Sequence, residues 1–209
     1  MLALHRVVEA GHEVAALVSV RARSAESYMF HIPAIELTEH QARSMRMRLV
    51  EVATSGEKEK EVDELGAGLC GIEAEGMVTG ALASEYQRAR FKRLADGMGW
   101  DFVSPLWGRD PWEHVEECAR RFEAVFTGVA AEGMGKDWLG RRLDGEAIGD
   151  LRRIHARNRV HPSGEGGEFE TAVLDAPLFR ERLQVEWEAS WEGSRGHLLV
   201  RKVVPMAKP

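Results

Sequence analysis

Short apolar runs alternate with helix-period segments through the first 130 residues, and this alternation restricts the fold more than any other feature. Five runs have the length and near-continuous apolar character of buried strands: residues 13–20, 47–54, 76–82, 100–106 and 122–130. The segments between them open with the helix-capping residues Thr38, Thr54, Ser84 and Asp110. Strands and helices in this order form a parallel sheet that is covered by helices. The sequence therefore predicts an α/β fold.

The C-terminal part of the chain has a different pattern. A helix is predicted near 144–157. Two segments of alternating apolar and polar residues, at 183–188 and 197–204, flank a Gly-containing turn and indicate an antiparallel hairpin. We therefore predict two domains, with the parallel sheet in 1–106 and a smaller α/β domain in 107–209.

The chain begins inside an amphipathic helix. Leu2, Leu4, Val7 and Val8 form its apolar face, and Gly11 follows its end. Folds of this type normally begin with a strand whose end feeds the first helix, and the loop between them often holds phosphate. We therefore expect the first, central strand to be missing. Either the start was assigned at an internal Met, which we favour, or the protein is truncated.

Charge and cysteine content exclude several classes of protein. The 28 basic and 34 acidic residues give a net charge of -6, which argues against a non-specific nucleic-acid binder. No apolar run has the length of a membrane span, and the N-terminus lacks the features of a signal peptide. Cys70 and Cys118 are too far apart for a CxxC motif. These features predict a reduced, cytoplasmic protein.

The strongest candidate for chemistry is the sequence EGGEFET. It places Glu165, Glu168 and Glu170 beside two glycines that allow a ligand to approach the backbone. Clustered carboxylates can bind Mg²⁺ or an amine, or act as a general base. A solvated acidic turn is the structural alternative, and the residues alone do not decide between the two.

Three further segments have both a binding and a structural interpretation. The strand end that enters a helix at 80–88 could bind an anion, although Ser84 and Gln87 are fully explained as a capping box. Lys58 could meet phosphate or belong to an exposed charged turn. Arg109 suits a phosphate or carboxylate, or a structural salt bridge. His114 and Cys118, four residues apart, favour packing over metal binding, so no metal site is predicted.

Taken in order, several segments resemble the diphthine–ammonia ligase (diphthamide synthase) family of N-type ATP pyrophosphatases. The similarity extends over essentially the whole chain and includes ESYMFH, LTEHQA, TSGEKEKEV, GALASEYQR, PLWGRDP, WLGRR, HPSGEGGEFET and LDAPLF. EGGEFET followed by LDAP is its most specific part. The phosphate loop SGGKDS of the family would precede Met1 and is absent from this sequence.

The resemblance implies an adenine nucleotide alpha hydrolase-like domain that uses ATP and Mg²⁺. Family members amidate the diphthine carboxylate of elongation factor two with ammonia, and they release AMP and pyrophosphate. We assign nucleotide binding to Gly80, Ala81, Ser84, Tyr86, Gln87 and Lys58, and substrate and ammonia handling to Glu165, Glu168, Glu170 and Arg109. Two alternatives stay open: amidation of another acceptor, and a non-catalytic nucleotide-binding or interaction module.

Overall fold

The computed structural model describes residues 1–22, 34–57 and 60–208. The chain forms two compact units, one of Met1–His31 with Met47–Gly108 and the other of Ile32–Arg46 with Arg109–Pro209. Residues 34–46, which the sequence-based division places in the first domain, therefore belong to the second unit.

The described residues contain six α-helices, eight strands and one short 3-10 helix, Lys136–Trp138. The helices are α1 (Leu2–Glu9), α2 (Leu37–Met45), α3 (Lys60–Leu69), α4 (Glu85–Met98), α5 (Pro111–Arg121) and α6 (Gly145–Asn158). The strands are β1 (Leu17–Ala22), β2 (Leu49–Thr54), β3 (Gly76–Val78), β4 (Asp101–Val103), β5 (Glu123–Val129), β6 (Phe169–Asp175), β7 (Glu181–Glu192) and β8 (Arg195–Ala207). None of these helices is long and apolar enough to span a membrane.

The first unit contains two pairs of parallel strands with helices packed against them. Strand β1 pairs with β2 and strand β3 with β4, and among the described residues the two pairs are not hydrogen-bonded to each other. Val52 of β2 forms a core with Leu65 and Leu69 of α3, and Leu94 of α4 packs against it. The predicted parallel α/β arrangement is confirmed, but the described strands of this unit form two separate two-stranded sheets.

The second unit is built on an antiparallel sheet with the strand order β6-β5-β8-β7. The predicted hairpin is confirmed and consists of β7 and β8. The run at 122–130, expected to close the parallel series, instead forms β5, which is antiparallel to β6 and β8. That prediction was wrong because a short apolar run looks the same in both kinds of sheet. Helices α5 and α6 cover one face, and Leu37 of α2 packs on the other.

Two of the four predicted helix caps form. Ser84 accepts a hydrogen bond from the Gln87 amide at 3.4 Å, and Asp110 caps α5. The box at Thr38 is wrong, because the Thr38 hydroxyl donates to the Ile35 carbonyl instead. The box at Thr54 is also wrong, because Thr54 is the last residue of β2 and its buried hydroxyl has no hydrogen-bond partner among the described residues. Spacing that fits a capping box is therefore not sufficient to place a helix start.

Removal of the Asp110 carboxylate should destabilise the second unit. The Asp110 carboxylate accepts hydrogen bonds from the backbone amides of Trp112 (2.9 Å) and Glu113 (3.0 Å). Pro111 is the first residue of α5. Asp110→Ala leaves both donors without this partner, so we expect a loss of about 1 kcal/mol in the free energy of unfolding, measured with urea. Asp110→Asn should retain most of the stability, and equal losses in the two variants would contradict the capping role.

Candidate functional site

Glu168 closes the EGGEFET loop on itself. One carboxylate oxygen accepts from the His161 amide at 2.9 Å, and the other accepts from the Gly166 amide at 2.8 Å. Gly164 has a φ of +69°, and a Cβ there would lie 2.6 Å from the Phe169 carbonyl oxygen. Only glycine fits this close approach. The Glu168 carboxylate is therefore occupied in holding the shape of the loop.

Glu168→Ala should open the loop. Because the amides of His161 and Gly166 lose charge-assisted hydrogen bonds, their hydrogen exchange should become about tenfold faster or more. Glu165→Ala provides the matched control, since Glu165 is exposed and has no hydrogen bond within the described part of the chain. Unchanged exchange at both amides would show that Glu168 does not hold the loop.

Glu170, the second residue of β6, differs from Glu168 in its hydrogen bonding. It is partly buried, and within the described residues its carboxyl has neither a hydrogen bond nor an ion pair. Burial, together with the charge of Glu165, raises the pKa of Glu170 to about 7. Near neutral pH this carboxyl can therefore both accept and release a proton, as a general base or an amine-binding group must.

The raised pKa of Glu170 should make stability depend on pH. Between the ordinary value of 4.5 and about 7, the folded protein retains a proton on Glu170 that the unfolded chain has lost. The free energy of unfolding therefore falls as pH rises through this range. Glu170→Gln removes this dependence, so the variant should gain stability relative to the wild type between about pH 5 and about pH 8, measured by urea unfolding. Parallel profiles for the two proteins would contradict the raised pKa.

A β-bulge adjoins Glu170. Phe126 is paired with Thr171, whereas Gly128 is paired with Glu170, so Thr127 is the extra residue of β5. Its hydroxyl is fully buried and has no hydrogen-bond partner among the described residues. Bulges recur beside active sites, where they redirect side chains. The bulge therefore places Gly128, which has no side chain, opposite Glu170.

Arg109 forms a salt bridge with Glu117 of α5. Its guanidinium donates to Glu117 at 2.7 Å, and Arg121 reaches the same carboxylate at 3.3 Å. The structure thus has the salt bridge that the sequence left open as an alternative. Of the four residues assigned to substrate and ammonia, Glu165 and Glu170 lie close enough for one charge to shift the pKa of the other, whereas Arg109 pairs with Glu117.

In the first unit, the loops that follow β3 and β4 are tied together. The hydroxyls of Thr79 and Ser104 lie 2.9 Å apart, and the Gly108 amide donates to the Leu82 carbonyl at 2.9 Å. Ala81 is buried between these contacts, whereas Gly80 is exposed; a Cβ at Gly80 would lie 3.8 Å from that of Ala3 in α1. The two loops lie at one edge, because the carboxyl ends of neighbouring parallel strands meet there.

The start of α4 adjoins this edge. Ser84 caps the helix at the Gln87 amide, and the Arg90 guanidinium stacks on the Tyr86 ring at 3.4 Å. Arg88 lies 4.5 Å from the centroid of the Trp107 ring, which belongs to the loop after β4. Five of the six predicted nucleotide-binding residues therefore lie at one helix start and the strand end before it. Lys58 and the segment 26–31 lie outside the described residues.

The described residues contain neither a candidate metal site nor a disulfide. Residues 1–22, 34–57 and 60–208 contain no group of three or more His, Cys, Asp or Glu side chains placed to hold a metal ion. Cys70 and Cys118 are both free thiols. The Cys118 sulfur lies 3.7 Å from Nε2 of His114, and burial raises the pKa of Cys118 to about 11. A thiol in this state packs rather than reacts.

A polar cleft of about 360 Å³ lies elsewhere in the second unit. It is lined by residues from the end of α5 and from the turn after β6, together with Arg142, Asp175 and Lys208. None of the predicted site residues lines it, so the cleft is separate from the EGGEFET loop.

Comparison with known proteins gives matches over almost the whole chain. A family model described as the diphthamide synthase N-terminal domain matches residues 1–101, and one described as the diphthamide synthase C-terminal domain matches residues 110–206. Among curated relatives, the diphthine–ammonia ligase of Schizosaccharomyces pombe is 34% identical over 135 residues, which cover 64% of this chain and 22% of that protein. The ligases of Rattus norvegicus and Homo sapiens are each 29% identical, over 87% and 86% of this chain and 76% of their own length.

The chain therefore spans about a fifth of the length of the yeast relative and about three quarters of the mammalian ones. Among solved structures, a protein described as a predicted subunit of tRNA methyltransferase from Methanocaldococcus jannaschii aligns with a TM-score of 0.40 and 14% identity, over 83% of this chain and 91% of that one. Because the N- and C-terminal models match consecutively and leave only short gaps, the chain belongs to the diphthamide synthase family.

Proposed function

We propose that this protein catalyses the ATP-dependent amidation of the diphthine carboxylate on elongation factor two, with ammonia as the nitrogen donor. The products are diphthamide, AMP and pyrophosphate. The match to both family domains supports this proposal, as do relatives named diphthine–ammonia ligase. The observation that carries it is the partly buried Glu170 carboxyl, which has no ion-pair or hydrogen-bond partner among the described residues and lies in the most specific motif of the family. The substrate protein and the free thiols are consistent with a cytoplasmic location.

Amide formation from a carboxylate needs an activated acyl group. Attack of the carboxylate on the α-phosphate of ATP gives an acyl-adenylate, and pyrophosphate leaves. Ammonia then attacks the acyl carbon, a C–N bond forms, and the bond to AMP breaks. The protein must therefore bind a polyanion, hold ammonia as a nucleophile and remove protons from it.

We assign the nucleotide to the edge formed by the loops after β3 and β4. The first turn of α4 offers backbone N–H groups and a positive dipole end, and exposed Gly80 allows the phosphates to approach. Mg²⁺ would offset the charge on the phosphates. Since the described residues hold no three-ligand cluster, the fit is to an ion bound mainly through the nucleotide.

Ammonia handling falls to Glu170. As a carboxylate it attracts ammonium, and with its pKa raised to about 7 it can accept a proton near neutral pH and free the nitrogen lone pair. Glu165 adds negative charge next to it. Glu168 holds the loop, and Arg109 anchors α5 through Glu117.

The direct test is incubation of the purified chain with ATP, an ammonium salt and elongation factor two that carries diphthine. We expect AMP to form in step with conversion of the carboxylate to the amide, detected by mass spectrometry of the modified peptide. A factor without diphthine is the control. AMP formation that does not depend on the factor would indicate another acceptor, and no AMP under any condition would support a non-catalytic module.

A further inference from the structure

Four residues lie in register across the whole sheet of the second unit. Glu170 of β6 is paired with Gly128 of β5, which is paired with His197 of β8, which is paired with Ser190 of β7. Residues directly opposite one another project from the same face of a sheet. We call these four residues the polar row. It sets a carboxyl and an imidazole on either side of a glycine.

The adjacent row of paired residues shows on which face of the sheet the polar row lies. Phe169, Val129, Gly196 and Trp191 are also paired in sequence across the four strands. Phe169 and Val129 are buried in the core with α5 and α6, and Trp191 packs against that core. A Cβ on Gly196 would lie 2.3 Å from the Trp191 ring. Because adjacent residues of a strand face opposite ways, the polar row lies on the other face.

The geometry of the polar row suits a small cation. Glu170 and His197 are two strand spacings apart, so their Cα atoms are separated by about 10 Å. Gly128 contributes no side chain to the space between them. Glu170 is partly buried and His197 is exposed, so solvent access along the polar row increases towards β8. An ion held above Gly128 would meet a carboxyl oxygen on one side and an imidazole nitrogen on the other.

We propose that His197 is a further ammonia-binding residue, which holds ammonium together with Glu170 above Gly128. The proposal rests on the function proposed above. A neutral imidazole nitrogen accepts one N–H of the ion, the Glu170 carboxylate accepts another, and Glu165 adds to the negative potential. Recognition through N–H donors separates ammonium from cations of similar size that lack them.

Binding is tested independently of catalysis. The imidazole resonances of His197, assigned by their loss in His197→Gln, are followed by NMR during titration with ammonium chloride at constant ionic strength. Tetramethylammonium chloride, which has no N–H donor, is the matched salt. We expect a saturable shift with ammonium only, its loss in Glu170→Gln and its retention in Lys202→Gln, a variant of an exposed residue on the same strand. The same response to both salts would overturn the proposal.

Kinetics supply the second measurement. Loss of a charge-assisted hydrogen bond in His197→Gln should raise the KM for ammonia about tenfold or more, with the KM for ATP nearly unchanged. Gly128→Ala should act in the same direction without removing a polar group, provided that its thermal unfolding matches the wild type. An unchanged KM for ammonia in His197→Gln would overturn the inference.

The two proposals fail in different ways. Wild-type protein that shows the ammonium-specific shift at His197 but produces no AMP contradicts the proposed function and leaves the ammonium site in place. Wild-type protein that forms AMP and amide but shows no shift contradicts the role of His197 alone.

Discussion

Replacing Glu170 with Gln should lower the rate of amide formation by about 100-fold or more, because the variant keeps the size of the side chain and loses its ability to accept a proton. The initial rate of amide formation, at saturating ATP and ammonia, is the measurement. The loss should include kcat, since raising the ammonia concentration cannot restore a missing base, and the KM for ammonia should rise as well because Glu170 also binds ammonium.

Glu165→Gln is the control for this prediction. Glu165 is exposed and influences Glu170 only through its charge, so we expect a much smaller loss of rate. Equal losses in the two variants would show that the loop contributes negative charge and that Glu170 has no separate role.

Among the substitutions proposed, Phe126→Ala should cause the largest decrease in the free energy of unfolding. The Phe126 side chain is fully buried, with its ring centroid 4.9 Å from that of Trp138 and 5.2 Å from that of Phe169, both in edge-to-face contact. Truncation leaves a cavity and should reduce the free energy of unfolding by about 3–5 kcal/mol, measured by urea unfolding. Leu199→Ala, at a residue that is 38% exposed, should change it by about 0.5 kcal/mol or less. A loss below about 1 kcal/mol in Phe126→Ala would contradict the packing described.

The structural features that the sequence predicts correctly are ones that depend on residues close together in the chain. The Asp110 cap, the Ser84 cap and the hairpin of β7 and β8 each depend on a few consecutive residues. Placement of α2 in the second unit depends on long-range contacts instead: Gln41 donates to the Val173 carbonyl, and Ser44 donates to the Glu181 carbonyl. Periodicity contains no information about such partners.

The candidate site divides in the same way. The sequence singled out Glu165, Glu168 and Glu170 as a group, but it treated the three carboxyls alike. Hydrogen-bond geometry distinguishes Glu168, which accepts from backbone amides, from Glu170, which has no such bond within the described part of the chain. His197 could not be found at all, because its relation to Glu170 depends on strand register, and a shift of one residue would reverse the faces.

The bulge at Thr127 adds one residue to β5, and this extra residue determines which face its neighbours point to. Phe126 and Val129 are three residues apart and yet both reach the core, so strict alternation would have turned one of them away from it. The extra residue restores the correct facing and at the same time presents Gly128 on the face of Glu170. At this one point of the strand, the number of residues rather than their chemistry decides which groups meet solvent or ligand and which are sealed in the interior.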